Sequence, residues 1–342
     1  MLRHRNSLAE DSQRWEEGGI GNFLSGDNVH PRGPPKLRAF PEPAGTLPNV
    51  IQLCRFTERT DKSPGATDRV AIGAVLDDQT VADLTPAGWT SVAEVLNAAS
   101  PTEAIGQALR RDLPRKPLAA VRLLAPVDRQ EVWAAGVTYL RSKVARMEES
   151  TFSASAYDRV YEAERPELFF KALAEKVVGP GEAIGVRHDS RWTVPEPELA
   201  LVLNARGEVV GCTIGNDLSA RDIEGENLLY LPQAKIYERS CALGPWILLG
   251  VDEATARRWT IGVRIRRDRT EVFAGQTDVN RIKRSFTELA GWLFRSNAFP
   301  NGAVLLTGTG AVPPDDFALQ AGDEVAIAVS GIGELRNPVV EV

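Results

Sequence analysis

The sequence predicts an α+β fold, mainly β, in which a small N-terminal α/β domain precedes a larger domain. Three observations lead there. From Val132 onward the apolar runs are short and separated by turn residues, with few helical periods among them, a pattern that argues against repeated βαβ units. Ahead of that point, strand-like runs are followed by two helical segments. Apolar residues make up 43% of the 342 residues, enough for a sizeable core and more than one average domain needs.

Residues 1–48 mix charges with many Gly and Pro and hold no sustained period, so they read as a poorly ordered extension. The small domain is expected over 49–128. It opens with strands at Val50–Phe56, Val70–Leu76 and Thr80–Leu84, the last two joined by a turn at Asp77-Asp78. Ser91-Val92-Ala93-Glu94 has the capping-box spacing and opens a helix to Ala98, and Thr102–Arg111 is a second helical segment. Pro114, Pro117 and Pro126 mark the passage into the large domain, 129–342.

There, Trp133–Tyr139 reads as a strand running into a charged helical or lid-like segment, Leu140–Glu149. Ser285–Glu288 is another capping-box pattern, with Phe286, Leu289 and Leu293 on one helical face. Val304–Leu306 and Glu324–Val329 are late strands, and Gly331-Ile332-Gly333 a final turn.

The chemistry centres on Pro195-Glu196-Pro197-Glu198 and the apolar run Leu199–Leu203. Side chains alternate along a strand, so Glu196 and Glu198 point to one side with Cβ atoms about 6.5 Å apart. Asn204-Ala205-Arg206-Gly207 is a turn signal, so the next run, Val209–Asp217, folds back and carries Asp217 towards the same place. A Glu-x-Glu on a strand is most often a solvated face. This strand is otherwise strongly apolar, and buried carboxylates repel one another unless a cation compensates. An all-oxygen set suits Mg2+ or Mn2+, whereas thiols and imidazoles suit softer metals.

Net charge is −6 with no long Lys/Arg run, which argues against nucleic acid or an anionic membrane as partner. No apolar run reaches the roughly 18 residues of a membrane span, and 1–17 lack the apolar core of a signal peptide. Cys54, Cys212 and Cys241 sit in apolar contexts and read as reduced core residues, so a cytoplasmic protein is expected. P-loop, His-Glu-x-x-His and dinucleotide-binding glycine patterns are absent.

Glu196-Pro197-Glu198-Leu199-Ala200, Gly215-Asn216-Asp217-Leu218-Ser219-Ala220-Arg221-Asp222, Lys235, Leu243-Gly244-Pro245-Trp246, Leu306-Thr307-Gly308-Thr309 and Gly331–Asn337, in that order, resemble the fumarylacetoacetate hydrolase superfamily over roughly 130–342. That resemblance implies a β-roll catalytic domain, a Mg2+ or Mn2+ ion on Glu196, Glu198 and Asp217, and a small 2-oxo acid substrate. Ala135–Tyr139, Tyr161–Lys171, Asp222–Asn227 and Leu231–Lys235 are similar, more closely, to the 2-keto-3-deoxy-D-arabinonate dehydratases. This implies Glu167 and Lys235 as catalytic neighbours of the metal and Lys171 and Thr309 as substrate contacts. A homo-oligomer, dimer or tetramer, is expected.

One departure from the wider family is informative. Where its C–C hydrolases carry a His and a Glu that activate water, this chain has Ser142 and Ala145. Arg141, Ser142 and Arg146 are candidates to meet the substrate from the lid, Arg141 and Arg146 as partners for its carboxylate. The chemistry implied is metal-assisted loss of water from a 2-keto-3-deoxy sugar acid, with Lys235 as base at carbon 3 and Glu167 as acid on the departing hydroxyl, or the reverse. The alternatives are a 2,4-diketo acid hydrolase on the same metal site and a non-catalytic sugar-acid binder.

Overall fold

The computed structural model describes residues 50–58, 69–77, 79–140 and 159–342. The extension expected at 1–48, the lid-like segment beyond Leu140, and with it Arg141, Ser142, Ala145 and Arg146, lie outside the described residues.

Five strands come from the first stretch: β1 (Ile51–Glu58), β2 (Val70–Asp77), β3 (Thr80–Asp83), β4 (Arg115–Pro117) and β5 (Val121–Leu124). They pair antiparallel as β4-β3-β2-β1, with β5 also on β1. Between β3 and β4 lie two helices. In the first, Val92–Leu96, Ser91 accepts from the Glu94 backbone and Glu94 accepts from the Ser91 backbone, so the expected capping box is present. The second, Pro101–Leu109, starts with Pro at a position where its missing N–H costs nothing. Ile105, Val95 and Leu96 are fully buried against the sheet.

The sheet continues through the antiparallel β1–β13 pair, β13 being Cys241–Leu249, into β11 (Val209–Asp217), β10 (Pro197–Leu203), β16 (Ala303–Leu306), β6 (Glu131–Gly136) and β7 (Glu167–Ala172). Eleven strands are thus joined, and all pairs along this path are antiparallel except β16–β6. A second sheet, β15-β14-β17-β18-β8, uses Ile184–Val186 (β8), Thr260–Arg267 (β14), Thr270–Asp278 (β15), Glu324–Val329 (β17) and Gly333–Glu341 (β18). A short ribbon pairs β9 (Thr193–Val194) with β12 (Ser219–Ala220).

All seven residues of β10 are buried. Its two faces feed two cores: Leu199, Leu201 and Leu203 pack with the second sheet, while Ala200 and Val202 pack towards the N-terminal helices. Each of those leucines contributes roughly 1.5–3 kcal/mol by leaving water. A strand covered on both faces reads as one unbroken apolar run, which is why its amphipathicity is invisible in the sequence.

Several local expectations shift for identifiable reasons. The strand expected to reach Tyr139 ends at Gly136, because Val137 takes a left-handed backbone (φ 51), a conformation that costs a β-branched residue about 1–3 kcal/mol. Thr138 Oγ1 then donates to Thr307 O at 2.5 Å, tying the turn to the loop after β16. At helix Phe286–Leu293 only half of the capping box forms: Ser285 Oγ accepts from the Glu288 backbone, while the Glu288 carboxylate is taken by Arg284. Phe286, Leu289 and Leu293 are buried on one face, as their spacing predicts.

The three cysteines are free and buried, and burial pushes each thiol up to about 12. Among the described residues, no helix is long and apolar enough to cross a membrane.

Candidate active site

The turn Asn204–Gly207 sets the site. Asn204 Oδ1 accepts from the backbones of Arg206 and Glu208, and Gly207 takes φ 77, which lets β11 return antiparallel beside β10. In that register Glu198 lies opposite Gly215 and Pro197 opposite Asn216, so Asp217 arrives beside Glu196 and donates its N–H to Glu196 O at 3.0 Å. Glu196, Glu198 and Asp217 are all buried, and each offers a carboxylate oxygen within 4.8 Å of the others.

Cationic side chains hold two of the three. Arg221, at the start of the helix Arg221–Glu226, donates through Nε (3.2 Å) and Nη2 (3.0 Å) to Glu196 Oε1. Lys235, at the end of the helix Leu231–Lys235, donates to Glu196 Oε2 (2.8 Å), Asp217 Oδ2 (3.1 Å) and Ser219 Oγ (2.5 Å). Ser219 in turn donates to Asp217 O, which fixes its hydroxyl as an acceptor for Lys235. The Phe169 ring lies 5.5 Å from Lys235 Nζ.

Glu198 is held differently. Its Oε2 accepts the Gly308 N–H at 2.5 Å, and position 308 requires glycine, since its φ is 88 and a side chain there would meet Thr138 Oγ1 at 2.2 Å. Burial, then the charges of Asp217 and Glu196, hold its carboxyl well above the usual carboxylate range, only partly countered by Lys235.

Lys171 occupies a different place from the one its expected role implies. It is fully buried, and its ammonium ion-pairs with Asp217 Oδ1 (2.5 Å) and donates to Leu218 O (3.0 Å) and Lys235 O (2.5 Å). It stands behind Asp217 and Lys235, bracing both. Thr309 lines the cavity, with its hydroxyl near Ala311 O and N. Glu167 lines it too: it pairs with Gly136 across β6–β7, and its carboxylate occupies the space over that glycine.

The space enclosed is about 20 Å3, room for one water-sized body. Five carboxylates line it (Glu167, Glu196, Glu198, Asp217, Glu224), against three cations that line it or brace it (Arg221, Lys235, Lys171). The excess of carboxyl groups over cations and the all-oxygen donors fit a divalent hard cation. Sequence reasoning about function passed over Arg221, Ser219, Gly308 and Glu224. Arg221 and Ser219 sit in the same run as Asp217 and were legible there only as part of a motif.

Comparison with known proteins gives the chain's family. The family model described as fumarylacetoacetate (FAA) hydrolase C-terminal matches residues 131–340. The chain belongs to the fumarylacetoacetate hydrolase family. Among curated members, a Haloferax volcanii protein described as "Probable 2-keto-3-deoxyxylonate dehydratase" is 50% identical over 217 residues, covering 64% of this chain and 74% of the relative. The 2-dehydro-3-deoxy-D-arabinonate dehydratase of Saccharolobus solfataricus is 43% identical over 222 residues, with the same two coverages. A solved structure of 2-keto-3-deoxy-D-arabinonate dehydratase complexed with magnesium and 2,5-dioxopentanoate is similar over 85% of this chain and 99% of its own, at 33% identity and a TM-score of 0.68.

The Gly136–Glu167 contact carries a prediction. A Cβ at 136 would lie 2.0 Å from Glu167 Oε2, and since that oxygen ends a flexible side chain, Gly136→Ala displaces the carboxylate more than the fold. Turnover is expected to fall by about a hundredfold or more, as for loss of a positioned acid or base. The melting temperature should stay within about 4 °C. A variant with unchanged kcat would show that Glu167 is not needed where it stands.

Proposed function

We propose that this protein dehydrates a 2-keto-3-deoxy sugar acid of the arabinonate or xylonate kind to the corresponding 2,5-dioxo acid, with Mg2+ or Mn2+ as cofactor. The observation that supports the reading is that Lys235 and Glu167 both line the cavity that the buried carboxylate triad lines. The identities of 43% and 50% to dehydratases support the substrate class.

Glu196, Glu198 and Asp217 would hold the ion, which when bound draws electron density from the 2-oxo acid group and so acidifies carbon 3. Lys235, which sits against Glu196 and Asp217, would lose one ammonium proton to solvent beside a bound dication and then take a proton from carbon 3 as the free amine. Glu167 gives its proton to the hydroxyl on carbon 4, which leaves as water. The unsaturated acid then isomerises: one proton leaves carbon 5 and a second leaves its hydroxyl, carbons 3 and 4 each gain one, and carbon 5 becomes the aldehyde. Arg221 and Lys171 hold Glu196 and Asp217 in place throughout, Phe169 keeps water from one side of Lys235, and Thr309 offers a hydroxyl to the substrate.

The decisive experiment supplies a 2-keto-3-deoxypentonate and Mg2+ in deuterated water. Formation of a 2,5-dioxo acid with its carbon count intact and deuterium at carbon 3 is expected. Pyruvate released from a 2,4-diketo acid would select the hydrolase instead, and no product from either acid would select a binder.

Cation affinity should rise with pH. Glu198 has a raised carboxyl and must shed its proton to ligate, so protons and the ion compete for it. Isothermal titration with Mg2+ at several pH values should show proton release that shrinks as pH increases. An affinity independent of pH would exclude Glu198 from the ligand set.

A further inference from the structure

We propose that the protein carries a second binding site, for a small dianion, on the far side of the strand that bears Glu167, and that its occupancy changes turnover. The site is a pocket of about 330 Å3, at the lower end of small-molecule pockets. Trp133, Arg165, Leu168, Trp292, Arg295 and Asn297 shape it.

Two guanidinium groups converge there on one indole. Arg165 Cζ lies 4.5 Å and Arg295 Cζ 3.7 Å from the Trp292 ring centroid. Both arginines are exposed, and neither is matched by a carboxylate among the described residues. Two like charges gathered on one ring repel each other, and stacking on Trp offsets that only in part. Their N–H edges remain available. A ligand with two negative charges relieves the repulsion and can accept from both forks, as carboxylates and phosphates do.

The pocket is built on fixed parts. Trp133 meets Phe170 and Phe299 edge-on, at 5.9 and 6.1 Å between ring centroids. The backbone just ahead of Arg165 is pinned by Arg284, which donates to Ala163 O (2.5 Å) and Glu164 O (2.9 Å). Ser296, next to Arg295, holds a left-handed backbone with φ 58, a conformation that costs a non-glycine residue about 1–3 kcal/mol and is kept where surroundings impose it.

The link to catalysis is the strand itself. Alternation along β7 turns Glu167 and Phe169 into the active cavity and Leu168 into this pocket. Only the buried Pro166 separates Arg165 from Glu167. An anion drawing on Arg165 therefore pulls on the end of the strand that positions Glu167. The binding claim stands apart from the proposed reaction, while the effect on turnover rests on it.

The test titrates inorganic phosphate and, separately, succinate into the full-length Mg2+-loaded protein at constant ionic strength, with binding read by calorimetry. One saturable event per chain is expected, tighter for phosphate if the ligand is a phosphate monoester and for succinate if it is a dicarboxylate. Binding should survive Glu198→Gln, which removes the metal site. Arg165→Gln and Arg295→Gln should each weaken it by about tenfold or more, with unchanged melting temperatures. The same anion should change kcat in the unmodified enzyme and not in the two arginine variants. Absence of saturable binding, loss of binding in Glu198→Gln, or equal binding by both arginine variants would overturn the site. Binding with no change in kcat would overturn its regulatory role. A lower oligomer mass in the arginine variants with no anion bound would make the pocket a contact between copies of the chain instead.

Discussion

Lys235→Met lowers turnover by about a hundred- to ten-thousand-fold, the usual effect of removing a positioned acid or base, and Glu167→Gln does the same. Metal content is retained in both. Neither side chain belongs to the carboxylate triad, and Met keeps the length and apolar stem that pack against Phe169. Without the ammonium, Glu196 and Asp217 lose a shared counter-charge, so they favour a divalent cation at least as strongly as before. Cation stoichiometry by atomic absorption, measured beside kcat, therefore separates loss of chemistry from loss of the ion. Either variant keeping more than about a tenth of kcat with the ion bound would remove that residue from the proton transfers.

Lys171→Met has its main effect on stability. The side chain is wholly enclosed, so the variant leaves Asp217 short of a buried cation and removes a donor from Leu218 O and Lys235 O, the latter keeping the Ser240 hydroxyl at 3.0 Å. Breaking a buried pair from one side costs about 3–5 kcal/mol. Urea unfolding should show that loss in the metal-free protein, and Mg2+ should recover part of it by supplying charge next to Asp217. The double variant Lys171→Met with Asp217→Asn should be more stable than the single one without metal, since no buried carboxylate is then left with only Lys235, shared with Glu196, as its counter-charge. A loss below about 1 kcal/mol would indicate that water reaches Asp217 and does the work assigned to Lys171.

The parts of the fold legible in the sequence are those set by local chemistry. Ser91 with Glu94, the Asn204–Gly207 turn and the alternation of Glu196 and Glu198 each rest on residues within a few positions of one another. The parts that stayed hidden depend on partners far along the chain. Strand β7 is a case: Leu168, Phe169 and Phe170 do not alternate with polar residues, because Phe169 faces the site and its neighbours face the aromatic cluster. The break at Val137 is another, since the loop after β16 imposes it. At the site, paired carboxylates announce themselves through charge in an apolar run. Lys171 does not, for a lysine beside two phenylalanines looks like a half-exposed strand residue until Asp217, 46 positions on, is seen to meet it.

The hydrogen bond from Gly308 to Glu198 joins residues 110 apart, and β16 is the strand that wedges β6 and β7 against β10. A chain still emerging from the ribosome already holds Glu196, Glu198, Asp217 and Lys235 long before that strand exists. Until it arrives, Glu198 lacks its amide donor and Glu167 has no wall to stand on. Closing so long a loop is slow, since its entropy must be overcome before the contact forms. Cation uptake then reports the completion of folding and stabilises only the finished state, by about 2.7 kcal/mol when the free ion is at a hundred times its dissociation constant. Magnesium in the surrounding solution thereby acts as a latch on β16, and pulse-labelled chains truncated before residue 303 should neither bind the ion nor gain stability from it.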